Sequence, residues 1–247
     1  TAYELWDTKY DDLASMPDGQ RIRDLILGQD NDAISACRQV YTISQNVSGR
    51  LLKFNNIDSG VLYPPPRSME KFYHEEYGDY FFFPSRITPM KRQELVIEAL
   101  AYCSPGVRVV FAGQADDHNY LNRLKQRAVE LGVAEKITWL GHITDEEKLE
   151  YYARCLMVIF PAYDEDYGYI TPEAMLSSKG VVTLTDSGGA LEFVTDDVNG
   201  SVVIPEANLL GEKLDRIWSD RSLARLYGEN AIERIVGMDI SWDRVIG

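Results

Sequence analysis

Short apolar runs alternate with amphipathic stretches along most of this chain of 247 residues. A short continuous apolar run is typical of a buried strand, and apolar residues at every third or fourth position are typical of a helix. The predicted strands are 80–83, 107–112, 137–140, 155–160, 181–185 and 201–204. The predicted helices are 91–103, 119–131, one that Thr144 or Asp145 caps and that ends at 153, 171–179, a short one after Gly188-Gly189, 209–218 and 223–236. Strands that alternate with helices predict an α/β fold, a doubly wound parallel sheet of about six strands.

The first 60 residues have a different pattern. The predicted elements there are helices around 22–26 and 33–37, a strand at 40–43, and a helix that Ser44 caps and that carries Val47, Leu51 and Leu52. This set is the tail of an α/β unit and is too small to bury a sheet of its own. The stiff connector Tyr63-Pro64-Pro65-Pro66 follows, of the kind found between domains. Because Thr1 begins in the middle of a pattern, we expect a piece of a longer protein.

Composition excludes several classes of partner. With 25 basic and 39 acidic residues the net charge is −14, which argues against nucleic acid and against a basic membrane-binding face. No apolar run is long enough to span a membrane. Cys37, Cys103 and Cys155 are odd in number and lie in apolar stretches, so we expect reduced core cysteines. Without a visible signal peptide, these features predict a cytoplasmic protein.

Two carboxylates lie in the crossover between the strands at 155–160 and 181–185. Thr171 and Pro172 predict the N-cap and first residue of a helix, which places Glu173 in the first turn and Glu165 in the preceding loop. Parallel sheets bind their ligands at such crossovers. The alternative is a solvated acidic loop, with Glu173 as a favourable charge at the positive end of the helix.

Other predicted loops lie at the same edge of the sheet. Arg86 and Lys91 follow the first strand and place two cations near a helix start, which favours an anion such as phosphate between them. Gly188 and Gly189 allow a backbone to approach a diphosphate closely. The alternatives are ordinary surface charges and a plain turn.

Three other short motifs carry less weight. Gly113-Gln114-Ala115 is not the G-x-G-x-x-G fingerprint of dinucleotide binding. Asp116-Asp117-His118 fits either a weak metal site or a solvated turn. Asn46-Val47-Ser48 matches a glycosylation sequon, which we discount because no secretion signal is visible.

Several motifs together resemble a known family. They are Ser85-Arg86 with Lys91, Gly141-His142, the E-x7-E of Glu165 and Glu173 followed by Ala174-Met175, and Gly188-Gly189-x-x-Glu192. Over residues 80–205 the chain resembles the C-terminal, donor-binding lobe of retaining glycosyltransferases with two Rossmann-like lobes. These are GT-B, glycosyltransferase family 4-like enzymes, which include sucrose synthases and bacterial mannosyl- and glucosyltransferases.

The resemblance divides the chain into three parts. Residues 1–63 would be the end of the N-terminal, acceptor-binding lobe plus the linker, residues 64–236 the nucleotide-sugar-binding lobe, and residues 237–247 a tail that crosses back. It implies that an N-terminal lobe is supplied by the same or another chain. A histidine that the family often places opposite the donor sugar is matched by none of His74, His118 and His142.

The resemblance also assigns roles to matching positions. Arg86 and Lys91 would clamp the diphosphate and neutralise the leaving group, so that no metal is needed. Glu173 would accept hydrogen bonds from ribose hydroxyls and Glu165 would contact the transferred sugar. The remaining donor contacts would be Ser85 and Gly188-Gly189 near the phosphates or sugar, and the backbone of His142 and Ile143 at the base. Asp166 departs from the family, which usually has glycine there.

The implied activity is transfer of a sugar, with retention, from a UDP- or GDP-sugar to a glycan or lipid-linked acceptor in polysaccharide or glycoconjugate synthesis. Two alternatives stay open: a nucleotide-sugar-binding or scaffolding half that needs a partner chain, and a nucleotide-sugar epimerase on the same fold. The implied location is cytoplasmic, with contact to the inner membrane only through the missing lobe.

Overall fold

Residues 5–6 and 8–246 are described by the computed structural model, and within them a six-stranded parallel sheet forms the centre of the fold. Its strands are β3 (Phe81–Pro84), β4 (Val109–Ala112), β5 (Ile137–Gly141), β6 (Met157–Ile159), β7 (Val181–Leu184) and β8 (Gly200–Val203). Their order is β5-β4-β3-β6-β7-β8, so the direction of winding reverses between β3 and β6. The predicted doubly wound sheet is confirmed, and its switch point lies between the strands that lead to Arg86 and Glu165.

Helices cover both faces of the sheet. They are α3 (Gln93–Ala99), α4 (His118–Glu130), α5 (Asp145–Arg154), α6 (Ile170–Leu176), α7 (Ala207–Ser219) and α8 (Arg221–Gly237). A short helix, α9 (Trp242–Ile246), follows them in the chain. Helices α3, α4 and α7 contribute to one hydrophobic core, α5 and α6 to the other, and α8 to both. None of the described helices is both long and apolar enough to cross a membrane.

The central strand shows why the apolar runs are continuous. Phe81 and Phe83 pack into the first core and Phe82 into the second, and all three are fully buried. Side chains alternate between the faces of a strand, and a parallel strand with helices on both faces buries every position. Continuous burial therefore produces an apolar run in the sequence, whereas a half-exposed strand would show alternation.

The first 60 residues differ in part from expectation. One helix, α1 (Gly19–Ser35), replaces the two short helices that we predicted. Strands β1 (Tyr41–Thr42) and β2 (Gly60–Val61) pair in parallel as a separate two-stranded sheet in the described region. Ser44 caps α2 (Gln45–Asn55) as predicted, because its hydroxyl accepts from the Val47 N–H at 3.0 Å.

The cysteine prediction holds for two positions. Cys103 and Cys155 are buried, and burial raises the pKa of each thiol to about 12. Cys37 is exposed, contrary to expectation. It follows the end of α1 and lines a surface cavity, so the apolar residues near it in sequence do not cover it in space.

A buried lysine lies at the end of the sheet opposite the predicted site. Lys179 is fully buried just before β7, its ammonium donates to the Glu75 carbonyl at 3.2 Å, and it lies 3.9 Å from the centroid of the Tyr77 ring. Burial lowers the pKa of Lys179 to about 8. One carbonyl and one aromatic face replace only part of the water that this ammonium loses on folding.

Lys179→Met is expected to raise the free energy of unfolding at neutral pH by roughly 1–2 kcal/mol, because an apolar side chain of similar length removes a buried charge. Between pH 8 and 10.5 the unfolded lysine binds more protons than the folded one, so the unsubstituted protein gains stability with rising pH. The advantage of the variant should therefore shrink across that window. Thermal melts over this pH range measure it, with Lys125→Met, an exposed lysine on α4, as control. A constant advantage at every pH would contradict this account.

Candidate functional site

The loops that follow β3, β6 and β7 meet at the switch point of the sheet. The Tyr163 N–H donates to the Met90 carbonyl at 2.9 Å, and the Asp164 N–H donates to the Asp186 carbonyl at the same distance. Backbone hydrogen bonds thus connect the loop of Glu165 with the loops of Lys91 and Gly188. The crossover prediction is confirmed in its geometry, since these separate stretches of sequence form one rim.

Lys91 and Glu165 form a close ion pair on this rim. Their side chains are 16% and 25% exposed, and the Lys91 ammonium lies 5.4 Å from the centroid of the Phe160 ring. One carboxylate occupies one of the three N–H donors of an ammonium, so Lys91 keeps donors for a further anion. The sequence analysis assigned Lys91 to the diphosphate and Glu165 to the sugar of a nucleotide-sugar. The structure brings these two side chains into direct contact.

Arg86 pairs with a different carboxylate. Its guanidinium binds Asp116 at 2.9 Å, and the two side chains are 69% and 51% exposed. Asp117, the next residue of the doubtful metal motif, caps α4 by accepting from the Asn119 N–H at 2.8 Å. Among the described residues no group of three or more His, Cys, Asp or Glu side chains could hold a metal ion. Because Arg86 pairs with Asp116 and Lys91 with Glu165, the predicted joint clamp of Arg86 and Lys91 on a diphosphate stays a prediction.

Glu173 lies in the first turns of α6 and is almost buried. It accepts from the Lys148 ammonium at 3.0 Å and from the Tyr152 hydroxyl at 2.8 Å. Burial and the neighbouring Glu173 carboxylate raise the pKa of Tyr152, which keeps that hydroxyl a donor. Each carboxylate oxygen has a further lone pair, and a cavity of about 340 Å³ lined also by Arg67 and Lys71 opens beside it. A ligand hydroxyl in this cavity could donate to Glu173.

The start of α6 corrects one prediction. The helix begins at Ile170, so Thr171 is not its N-cap, and the Thr171 hydroxyl is buried without a hydrogen-bond partner among the described residues. The preceding turn is made by Gly168, whose φ is +75° and whose carbonyl accepts from the Thr171 N–H at 2.8 Å. A glycine turn takes the place of a side-chain cap at this helix start.

Gly188 and Gly189 let two loops touch. A Cβ on Gly188 would lie 2.5 Å from the Glu165 carbonyl oxygen, and a Cβ on Gly189 would lie 2.4 Å from that of Asp166. The Gly189 N–H donates to the Glu165 carbonyl at 2.7 Å. These glycines are therefore needed for close packing inside the protein, and their contact with phosphate stays a prediction.

The predicted base-binding segment follows β5. His142 is exposed and Ile143 is half-buried against the second core. A second cavity of about 490 Å³, lined by Gln114, His118 and Trp139 among others, lies where β4 and β5 end. Ser85 is half-buried, and its carbonyl lies so close to Gly113 that a Cβ there would be 2.1 Å away. The structure thus places Ser85 and the segment of His142 and Ile143 after β3 and β5, and their contacts with a donor stay a prediction.

Two side chains that the sequence analysis gave no site role hold the rim in place. Arg92 has a left-handed φ of +58° and is 8% exposed. Its guanidinium makes two hydrogen bonds of 2.6 Å to the Asp186 carboxylate, and its Nε donates to the Tyr10 hydroxyl at 2.9 Å. Asn46, on α2, donates to the carboxylate of Asp164. No local sequence signal identifies these partners, because each contact joins residues far apart in the chain.

Comparison with known proteins gives the family. The sequence profile described as "Glycosyl transferases group 1" matches residues 65–234. An uncharacterized glycosyltransferase of Methanocaldococcus jannaschii is 30% identical over 166 residues, which cover 66% of this chain and 41% of that protein. The D-inositol 3-phosphate glycosyltransferase of Mycolicibacterium smegmatis is 30% identical over 158 residues, covering 61% of this chain and 36% of that protein. The chain thus spans less than half the length of these relatives.

A solved structure supports the fold. The crystal structure of Anabaena HepE in complex with UDP and glucose matches with a TM-score of 0.76 at 23% identity, covering 87% of this chain and 64% of that chain. This likeness confirms the Rossmann-like α/β architecture expected of a GT-B lobe. Because the family profile also extends over more than half of the residues, the chain belongs to the group 1 glycosyltransferases.

Proposed function

We propose that this chain binds a nucleotide-sugar, with UDP-glucose as the first candidate, and serves a retaining sugar transfer. The observation that carries the proposal is the Lys91–Glu165 ion pair at the switch point, on the same rim as Gly188 and α6. UDP is the first choice of nucleotide because HepE was solved with UDP and glucose. Glu173 and the adjoining cavity are proposed to hold the ribose, and the segment of His142 and Ile143 the base.

The proposed chemistry is electrostatic. When the bond between the anomeric carbon and the phosphate oxygen breaks, negative charge grows on the departing diphosphate. Lys91 is half-buried, so its charge is screened less by water than that of Arg86. The acceptor oxygen then bonds to the anomeric carbon, and its proton leaves with the diphosphate or solvent. We propose that these cations do the work for which other transferases need a metal ion.

We propose that the acceptor, a glycan or lipid-linked saccharide, is held mainly by another lobe in the same or another chain. In the described part of residues 1–63, the strands β1 and β2 have two residues each, and Tyr41, Ile43 and Leu52 expose more than a third of their surface. An acceptor held against the donor sugar can contribute roughly 7–11 kcal/mol through positioning. A donor site without that partner should bind UDP-glucose and transfer glucose slowly.

Calorimetry and thermal melts test the proposal. UDP-glucose at about 100 times its Kd should raise the melting temperature by roughly 5–10 °C, whereas uridine at equal concentration should raise it much less. Excess chelator should change neither result. The proposal is overturned if no UDP- or GDP-sugar binds, and the metal-free part of it is overturned if chelation abolishes binding that Mg²⁺ or Mn²⁺ restores.

A further inference from the structure

The first turn of α2 contacts two loops of the candidate site. The backbone N–H groups of Gln45 and Asn46 donate to the two carboxylate oxygens of Glu192 at 2.9 and 2.8 Å. These N–H groups have no partner within the helix, and a carboxylate is favoured at the positive end of a helix. The Tyr63 hydroxyl donates to the same carboxylate at 2.6 Å. Glu192 thereby fixes the start of α2 next to the Gly188-Gly189 loop.

This anchoring places the Asn46 side chain between the loops of Glu165 and Gly188. Its amide nitrogen donates to the Asp164 carboxylate at 2.9 Å and to the Glu165 carbonyl at 3.0 Å, which accounts for both amide hydrogens. A Cβ on Gly188 would lie 2.5 Å from that nitrogen, so the glycine makes room for it. The Asn46 side chain is thus half-buried with both amide hydrogens engaged, and it is not a free glycosylation acceptor.

Glu165 is held at both ends. Its backbone carbonyl accepts from Asn46 and from the Gly189 N–H, and its carboxylate pairs with Lys91. We propose that Asn46 is a positioning residue that sets where the Glu165 carboxylate lies relative to Lys91, and so controls binding of the sugar part of the donor. The inference rests on the proposed function for the role of Glu165, and it adds a residue from α2 to the site.

Other contacts keep α2 and the acidic loop together without Asn46. Ser44 donates to the Asp166 carbonyl, and Arg50 binds the Asp166 carboxylate at 2.6 Å. Arg50 also reaches Asp164, at 3.4 Å from its carbonyl oxygen and 3.9 Å from its carboxylate. These contacts hold the residues on either side of Glu165, whereas Asn46 also binds Glu165 itself. Removing the Asn46 amide should therefore displace Glu165 without detaching the loop.

Asn46→Asp tests the inference with almost no change in shape. The new carboxylate faces the Asp164 carboxylate and the Glu165 carbonyl in place of two donated hydrogen bonds, so the backbone at Glu165 should shift. We expect UDP-glucose affinity to fall about tenfold while UDP affinity changes by about twofold or less. We also expect an amine-acylating reagent, read out by mass spectrometry, to label Lys91 several times faster. Asn46→Ala is the second variant if the aspartate does not fold.

The matched control is Asn55→Asp, at the other end of α2. The amide of Asn55 donates to the Asn31 side chain at 2.8 Å, away from the rim, so neither affinity nor Lys91 labelling should change. Equal losses of UDP and UDP-glucose affinity, or no loss of either, would overturn the positioning role. If the unsubstituted protein binds no nucleotide-sugar, the proposed function fails, and Lys91 labelling then decides alone: an unchanged rate in both Asn46 variants refutes the inference.

Discussion

Lys91→Ala is expected to weaken UDP binding by roughly 1.5–3 kcal/mol, the range for a hydrogen bond to a charged group, while uridine binding barely changes. The reason is the placement of the ammonium, which is half-buried, lies over the Phe160 ring and is already oriented by Glu165. An oriented cation loses little side-chain entropy when a diphosphate binds. Calorimetric titration of each protein with UDP and with uridine measures the effect.

Two further variants separate the possible causes. Arg86→Ala should have a smaller effect, because Arg86 is exposed and already paired with Asp116. In the double variant Lys91→Ala with Glu165→Gln, the loss of UDP affinity should be smaller than in Lys91→Ala alone, since no unpaired carboxylate is left to repel the phosphates. Equal losses for UDP and uridine would show instead that Lys91 supports the fold of the rim.

Much of the fold follows from local physics. The run Phe81–Phe83 predicts a strand buried on both faces, because a strand with helices on each side has no polar side. Helix starts with matching cap residues were also predictable. Thr144 accepts from the Glu147 N–H while Glu147 accepts from the Thr144 N–H, a reciprocal pair within four consecutive residues.

The site was only partly predictable, because its side chains find partners far away in sequence. The E-x7-E pattern located Glu165 and Glu173, yet nothing local shows that one pairs with Lys91 and the other with Lys148 and Tyr152. Asn46 lies 118 residues from its partner Asp164, so only the assembled fold brings the two together. The pattern identifies residues that can do chemistry, and the packing decides which of them meet.

The N-cap prediction at Thr171 was wrong for a different reason. Threonine followed by proline is a common helix start, and the sequence offers no sign that another residue begins the helix earlier. The structure starts α6 at Ile170 because Gly168 takes a positive φ and turns the chain into the helix. A glycine's backbone conformation depends on its tertiary surroundings, so the residue type alone does not reveal it.

Gly188→Ala is expected to destabilise the protein by roughly 3–5 kcal/mol, the range of the most damaging single substitutions. Two terms add. Gly188 has a φ of +59° with a ψ of −125°, a backbone conformation that L residues rarely adopt and that costs an alanine about 1–3 kcal/mol. Its new Cβ would also lie 2.5 Å from both the Glu165 carbonyl oxygen and the Asn46 amide nitrogen, and 2.8 Å from the Glu165 nitrogen. Two of these three atoms belong to the backbone and can move only if the rim separates.

Comparison with Gly132→Ala separates the cost of the close Cβ contacts from the cost of the backbone conformation. Gly132 also has a positive φ, +68°, but a Cβ there meets no atom of the described residues within 4 Å, so its cost should be conformational only, about 1–2 kcal/mol. Denaturant titration of the two variants gives the difference, and UDP-glucose binding should fail in Gly188→Ala even where the protein remains folded. Equal losses of stability in both variants would mean that the rim opens freely at this point. In that case the contact between Gly188, Glu165 and Asn46 would not hold the site in the arrangement described above.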